Sequence, residues 1–233
     1  MRISAFLIPK INPGKYNIKD TRLDQVDSIA KAKKKTYIQI EVVGEDAALD
    51  CDAILVSKDS RTDLILKDLD FIETRLSRTE QEGEKGVLNK FKSALEKEEF
   101  ISSVPLDEEE KKSIAAYGLY TNKPVVVAEK QELEDINALL TKCLRQAGYI
   151  SFFTTGEKET RAWLIKKGIT AWEAAGAIHS DIQKGFIRAE IISFNNFISC
   201  AGETQAKQAG KMRLEQKEYI MQDTDLVNFR FNK

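Results

Sequence analysis

The sequence predicts two domains in series: an N-terminal α/β domain carrying a helical hairpin, and a smaller C-terminal α+β domain. Three observations predict this. Short apolar, β-branched runs alternate with helix-spaced stripes over residues 1–148. A densely charged stretch at about 62–103 carries two successive apolar stripes, the pattern of two antiparallel helices. The composition then shifts after Gly148: residues 149–233 carry 12 Lys/Arg and 10 Asp/Glu, against 24 and 27 in residues 1–148.

The elements follow in order. Arg2 to Ile8 is an apolar run ended by Pro9, which reads as a buried strand, and Pro9 to Tyr16 reads as a turn-rich loop. Leu23, Val26, Ile29 and Ala30 recur at helical spacing in a helix over Thr21–Ala32, closed by the basic cluster Lys31, Lys33, Lys34 and Lys35, which suits a helix C-terminus. Thr36–Val43 is β-branched and alternating, and Ala53–Val56 is a short buried strand. Ile65, Leu69, Ile72 and Leu76 form the first hairpin stripe, better explained as packing than as a partner groove; Val87, Phe91 and Leu95 begin the second, after a break at Glu82–Gly86. Asp107 with Glu110 three residues on is a capping-box variant for a helix through Ala116. Pro124–Ala128 reads as a strand, Glu132–Ala147 as an amphipathic helix, and Gly148 as its C-terminal stop. Beyond it, strand-like runs occur at Tyr149–Thr154, Arg161–Ile165, Phe186–Ser193 and Leu226–Phe231.

Composition excludes several classes. With 42% hydrophobic and 31% charged residues and a net charge of −1, the 233-residue chain is neither disordered nor uniformly basic. No run approaches the roughly 18 apolar residues of a spanning helix, and the first 15 residues do not form a signal peptide, so a cytoplasmic protein without membrane partner is expected. Cys51, Cys143 and Cys200 are isolated and odd in number, and His179 is the single histidine. They predict reduced structural thiols, a packed or capping histidine and no metal site.

Three stations could have held a nucleotide. A phosphate loop needs Gly-x-x-x-x-Gly-Lys-Ser/Thr after a strand, so that backbone N–H groups curl around phosphate and the hydroxyl binds Mg²⁺. Gly14-Lys15 stands at the right place, but Pro9 replaces the first glycine, Tyr16 the hydroxyl, and Pro13 removes a donor. Glu41-Val42-Val43-Gly44 stands where an Asp-x-x-Gly would hold the magnesium shell, with Glu in place of Asp. Glu129 follows the third strand where a base-reading Asn would sit, and an ionised carboxylate cannot donate to a purine edge.

The segments SFFTTGEKETRAW (151–163), KKG (166–168), AAGAIH (174–179), KGFIRAE (184–190), GKMRLEQKEY (210–219) and FRFN (229–232) resemble the C-terminal TGS domain of the YchF/Obg-like ATPase family. The front half is similar too, in Met1–Ile3, Arg22–Asp24, Leu106–Lys111 and Lys123–Val125. The resemblance implies a truncated P-loop GTPase-like α/β domain with a helical hairpin over 1–148, with the family's nucleotide-binding helix, switch segments and helical arm shortened or missing. It implies a ubiquitin-like β-grasp TGS domain over 149–233. That family hydrolyses ATP and associates with ribosomes and RNA. Transferred residue by residue, only Gly14 and Lys15 survive of its phosphate loop, while Glu41, Gly44 and Glu129 occupy altered stations. The expectation is therefore a protein that does not hydrolyse nucleotide, needs no cofactor, and contacts ribosome or RNA, or a protein partner, without reading DNA sequence. Lys158, Arg161, Lys166, Lys167, Lys184 and Arg188 are the candidate phosphate contacts, with Trp163 or Phe186 for stacking. The alternative is a divergent NTPase holding ATP or GTP with Mg²⁺ in a remodelled cradle.

Overall fold

The computed structural model describes residues 1–232. The chain forms two compact units: residues 1–16 with 40–147, and residues 17–39 with the chain from Gly148 onward. All of 1–148 was expected to form one domain. Residues 17–39 instead belong to the C-terminal unit, a long-range assignment that no local pattern announces.

The first unit is built on a five-stranded sheet of order β2-β4-β1-β5-β6, with β1 Arg2–Phe6, β2 Gly14–Ile18, β4 Ile38–Val43, β5 Ala53–Ser57 and β6 Val125–Ala128. β1 runs parallel to β4 and β5, and β5 parallel to β6. Residues 3–6 of β1 and 53–56 of β5 are buried without alternation, as central parallel strands covered on both faces must be. Phe6, Ile54, Val56 and Leu64 pack as one cluster.

Helices α2 (Arg61–Leu76) and α3 (Glu82–Glu96) are the hairpin. Their stripes meet in a core of Ile65, Ile72, Val87, Leu88, Phe91 and Leu95, so the packing reading of the stripe holds. The expected break at Glu82–Gly86 is in fact the first turn and a half of α3. Burial of the face that follows outweighs the roughly 1 kcal/mol helix cost of each glycine. Asp107 caps α4 (Glu108–Ser113) with the predicted reciprocal bond from the Asp107 N–H to Glu110. Helix α5 (Ile136–Gln146) ends before Gly148, whose φ of +78° suits glycine.

The second unit has a six-stranded sheet of order β10-β9-β11-β7-β8-β3. Here β3 is Lys35–Thr36, β7 Tyr149–Thr154, β8 Thr160–Lys166, β9 Phe186–Ile192, β10 Arg213–Glu215 and β11 Leu226–Phe231. The expected strand over Thr36–Val43 is two strands, β3 and β4, in different sheets. β7 and β8 pair antiparallel, while β11 runs parallel to β7 and antiparallel to β9. Helix α6 (Ala171–Ile178) packs on one face against Phe152, Ile165, Ala189, Ile191, Val227 and Phe229. Helix α1 (Thr21–Ala30) buries Leu23 and Val26, and Lys31 ends it in a left-handed conformation. The short helices α7 (Ser180–Lys184), α8 (Phe194–Ser199) and α9 (Glu203–Gln208) complete this unit.

Candidate functional site

The C-terminal ends of the parallel strands are where an α/β sheet of this kind takes a ligand. β1 does not lead through a glycine loop into a helix. It leads through residues 7–13 into the strand β2. Gly14 and Lys15 therefore open a strand, correcting their reading as a turn. Gly14 has φ +155°, and a Cβ there would meet open space, so the glycine answers a backbone requirement and no close approach. Lys15 is exposed, and the Tyr16 hydroxyl donates to the Asn12 carbonyl at 2.7 Å, closing the loop on itself. Ile8 and Ile11 of this loop are buried, at 4% and 3% exposure.

The other two stations lie at different levels of the sheet, Glu41 near its far end and Glu129 at the same end as the loop, level with Ile8 two strands across. Register places Glu41 opposite Arg2, at the start of β1, and its carboxylate accepts from the Arg2 Nε at 3.0 Å. The Gly44 carbonyl accepts from the Ser4 hydroxyl at 3.1 Å. Glu129 follows β6 at the opposite end of the sheet, about six residue steps or roughly 20 Å from the level of Glu41. It pairs with Lys58 at 2.9 Å. Glu41 and Glu129 are thus each paired with a neighbouring cation, and the Gly44 carbonyl with Ser4. Among the described residues no group of three or more His, Cys, Asp or Glu side chains could hold a metal ion.

The six cations singled out in the C-terminal unit are not one patch. Lys166 and Lys167 sit at the far end of β8; Lys158 lies in the β7–β8 turn and Arg161 near the start of β8. Arg188 is cross-strand from Arg230, which pairs with Glu190 at 2.9 Å, and Lys184 ends α7. Phe186 packs against Phe229 with ring centroids 5.9 Å apart and is half-buried against the core. His179 caps α7, its Nδ1 accepting from the Asp181 N–H at 3.2 Å, as the capping reading required. Cys143 is fully buried, which pushes its thiol up to about 12.

What the sequence reading missed is the segment after α1. The Lys33 N–H donates to the Glu157 carbonyl at 3.1 Å, and the Thr160 N–H to the Lys34 carbonyl at 2.9 Å. β3 then adds to the edge of β8, Lys35 opposite Thr160 and Thr36 opposite Arg161. Lys31, Lys33 and Lys34 are thereby gathered beside Lys158 and Arg161. The Arg161 guanidinium carbon lies 4.0 Å from the centre of the Trp163 ring, whose Nε1 donates to Thr154 at 2.9 Å. Trp163 stacks in turn on Phe152, at 15° and 6.3 Å. Among the described residues, the carboxylate paired with these cations is Glu159, held below the usual range first by the Thr36 hydroxyl and then by Lys34 and Arg161. The five Lys/Arg of residues 31–35 and 158–161 other than Lys35 could have been joined only by knowing the β3–β8 pairing.

The fold is mixed α/β of the P-loop GTPase-like kind, and the comparisons place it. The family model YchF-GTPase_C, described as a protein of unknown function (DUF933), matches residues 149–232. The chain is 33% identical over 279 residues to a Haemophilus ducreyi protein named ribosome-binding ATPase YchF, covering 93% of this chain and 74% of that one. A Bacillus subtilis protein of the same name is 32% identical over 235 residues, 73% and 64% of the two chains. The Escherichia coli O157:H7 protein of that name is 58% identical over 82 residues, 35% of this chain and 23% of its own. The structure resembles the Schizosaccharomyces pombe YchF GTPase with a TM-score of 0.75 and 19% identity, over 96% of this chain and 88% of that one. The chain belongs to the YchF family.

Proposed function

We propose that this protein is a ribosome-associated member of the YchF family that does not hydrolyse ATP and works through its C-terminal unit as a TGS-type β-grasp domain. The order β8-β7-β11-β9-β10, with β11 parallel to β7 and α6 laid across one face, supports the β-grasp reading. The ribosome partner rests on the names of the relatives. The observation that carries the non-hydrolysing part is the passage of β1 through residues 7–13 straight into β2. A triphosphate needs converging N–H groups and a helix N-terminus, and here two prolines, two buried isoleucines and a strand stand in their place. The residues present do not fit ATP with Mg²⁺, and no catalytic step is assigned to them. That alignment of 279 residues against a chain of 233 means that the relatives carry internal segments with no counterpart here.

The test pairs two measurements on nucleotide-free protein. Magnesium-dependent ATP turnover is expected at the buffer rate, and co-sedimentation with ribosomes is expected at low salt, weakening as salt rises. Turnover above that rate, lost in Lys15→Ala, would overturn the non-hydrolysing reading. Absence of ribosome association at either salt concentration would overturn the partner.

A further inference from the structure

Independently of that reading, we propose that the edge strand β6 is an interface at which two copies of this chain pair antiparallel about a twofold axis through Val126. Val125 of each copy exchanges main-chain hydrogen bonds with Val127 of the other, and Lys123 of each stands across from Glu129 of the other.

The pairing of β6 with β5 fixes which of its residues can bond outward. β6 is the last strand of its sheet, and among the described residues no strand pairs with its outer side. The Ile54 N–H donates to the Pro124 carbonyl at 2.9 Å, and the Lys58 N–H to the Ala128 carbonyl at 3.0 Å. With Leu55 opposite Val126, the even-numbered residues of β6 therefore bond to β5. Val125 and Val127 turn their N–H and C=O groups outward. Among the described residues the Val125 groups and the Val127 N–H have no hydrogen-bond partner. The Val127 carbonyl meets the Lys142 ammonium at 3.5 Å, but Glu132 holds that lysine more closely, at 2.7 and 2.9 Å, and the carbonyl keeps a second lone pair. Both valines are only half-buried. Such an unpaired row is a template for another strand.

The sequence of the edge chooses its occupant. Only registers that set an outward residue against an outward residue form bonds. Centring a self-pair on Val125 sets Lys123 against a valine, and centring it on Val127 sets a valine against Glu129. Centring it on Val126 sets Val125 against Val127 and Lys123 against Glu129, and symmetry repeats both matches. Opposite charges directly across two strands stabilise the pair. A segment complementary to itself about its own centre is what a twofold interface requires. Glu129 already meets the Lys58 ammonium at 2.9 Å, and the Lys123 ammonium donates to the Cys51 carbonyl at 2.9 Å, so each has capacity for a second partner. An extended segment of unrelated sequence would match the valines without the charges. Four strand residues a copy make a small contact, so the dimer forms reversibly and with concentration.

Sedimentation velocity of the full chain over about a hundredfold range of concentration tests the interface, with circular dichroism confirming that each variant is folded. Wild type is expected to pass from monomer toward dimer as concentration rises. Val127→Pro removes an outward donor and leaves the β5–β6 ladder intact, so it is expected to stay monomeric throughout. Lys123→Glu and Glu129→Lys each set like charges across the two strands, and each is expected to weaken the dimer about tenfold. The two substitutions together exchange the charges and are expected to restore dimerisation to within about twofold of wild type. Wild type that remains monomeric at every concentration would overturn a second copy as the occupant of this edge. A dimer unmoved by Val127→Pro would put the interface elsewhere and sink the proposal. A dimer lost with the proline but not rescued by the double charge exchange would refute the register centred on Val126.

Discussion

The two units differ in how much of their charge is satisfied internally near the features singled out above. In the first, charges and loops are turned inward on the protein's own groups. Glu84 is buried and satisfied by Arg75, Thr79 and Tyr117, Asp68 accepts from Thr121 and the Tyr120 N–H, and the loop after β1 closes through Tyr16. In the second, Arg161 is stacked on Trp163 and partly exposed, and among the described residues Lys31, Lys33 and Lys158 form no ion pair within 4.0 Å. Hydrogen bonds that are fully used inside a fold stabilise it, whereas exposed cations are solvated and contribute little to its stability. The difference teaches that the loop after β1 is closed by its own packing and hydrogen bonds, while the excess of positive charge lies in the other unit.

The sharpest way to break this comparison is to empty one core at a time. Phe91 lies in the hairpin core and Phe152 beneath Trp163, both fully buried. Phe91→Ala and Phe152→Ala should each cost about 3–5 kcal/mol. Urea unfolding followed by circular dichroism would show it. Phe152→Ala should also weaken co-sedimentation with ribosomes, since it removes the support of the Trp163 ring; Phe91→Ala should not. Equal ribosome association in both variants would break the link between the stack and binding.

A smaller effect distinguishes the two units by pH. Glu84 is held down to about 2 from its usual 4.5, first by the Arg75 hydrogen bond and then by Thr79 and Tyr117. The folded state therefore binds its proton less readily than the unfolded state. The stabilisation it gives is complete above about pH 4.5 and is lost as pH falls toward 2. Asp225 is shifted the other way, raised by burial despite bonds from the Gln222 N–H and Tyr219. The folded state then binds the proton more readily, so its contribution improves as pH falls through the raised value. Measured against Glu84→Gln, wild-type stability should converge on the variant's with acidification. Measured against Asp225→Asn, it should gain. Parallel pH profiles for wild type and either variant would remove the assigned cause.

Much of this architecture was legible locally, and the exceptions share a cause. The runs Tyr149–Thr154 and Leu226–Phe231 are strands with the expected ends, because apolar alternation and a flanking glycine or acid set them without help from afar. The Asp107 cap was legible because a capping box is a contact between residues three apart. Gly14-Lys15 was misread as part of a loop because only pairing with β4 makes it a strand. Lys31–Lys35 was read as a helix end, and its first residue is one. The use of Lys33 and Lys34 depends on a partner some 125 positions away, opposite Lys35 at Thr160, which no spacing rule can reach. The basic corner was therefore half visible: Lys158 and Arg161 from the tail, but not the lysines that complete them.

The smallest expected effect tests whether the loop after β1 is held by packing alone. Leu7 has φ +50°, a left-handed conformation uncommon for a branched side chain, and is 42% exposed. Its neighbours Ile8 and Ile11 are buried, and the Ile11 N–H donates to the Ile8 carbonyl at 3.2 Å, so the turn is imposed by their burial. Glycine adopts this conformation without the roughly 1–2 kcal/mol penalty of a Cβ, but loses about 0.5–1 kcal/mol more on ordering the chain. Leu7→Gly should therefore raise stability by up to about 1 kcal/mol or leave it unchanged, read as the urea midpoint at constant slope. A loss of more than about 1 kcal/mol would mean that the Leu7 side chain itself contributes packing. The loop would then be fastened at three apolar points, Leu7, Ile8 and Ile11.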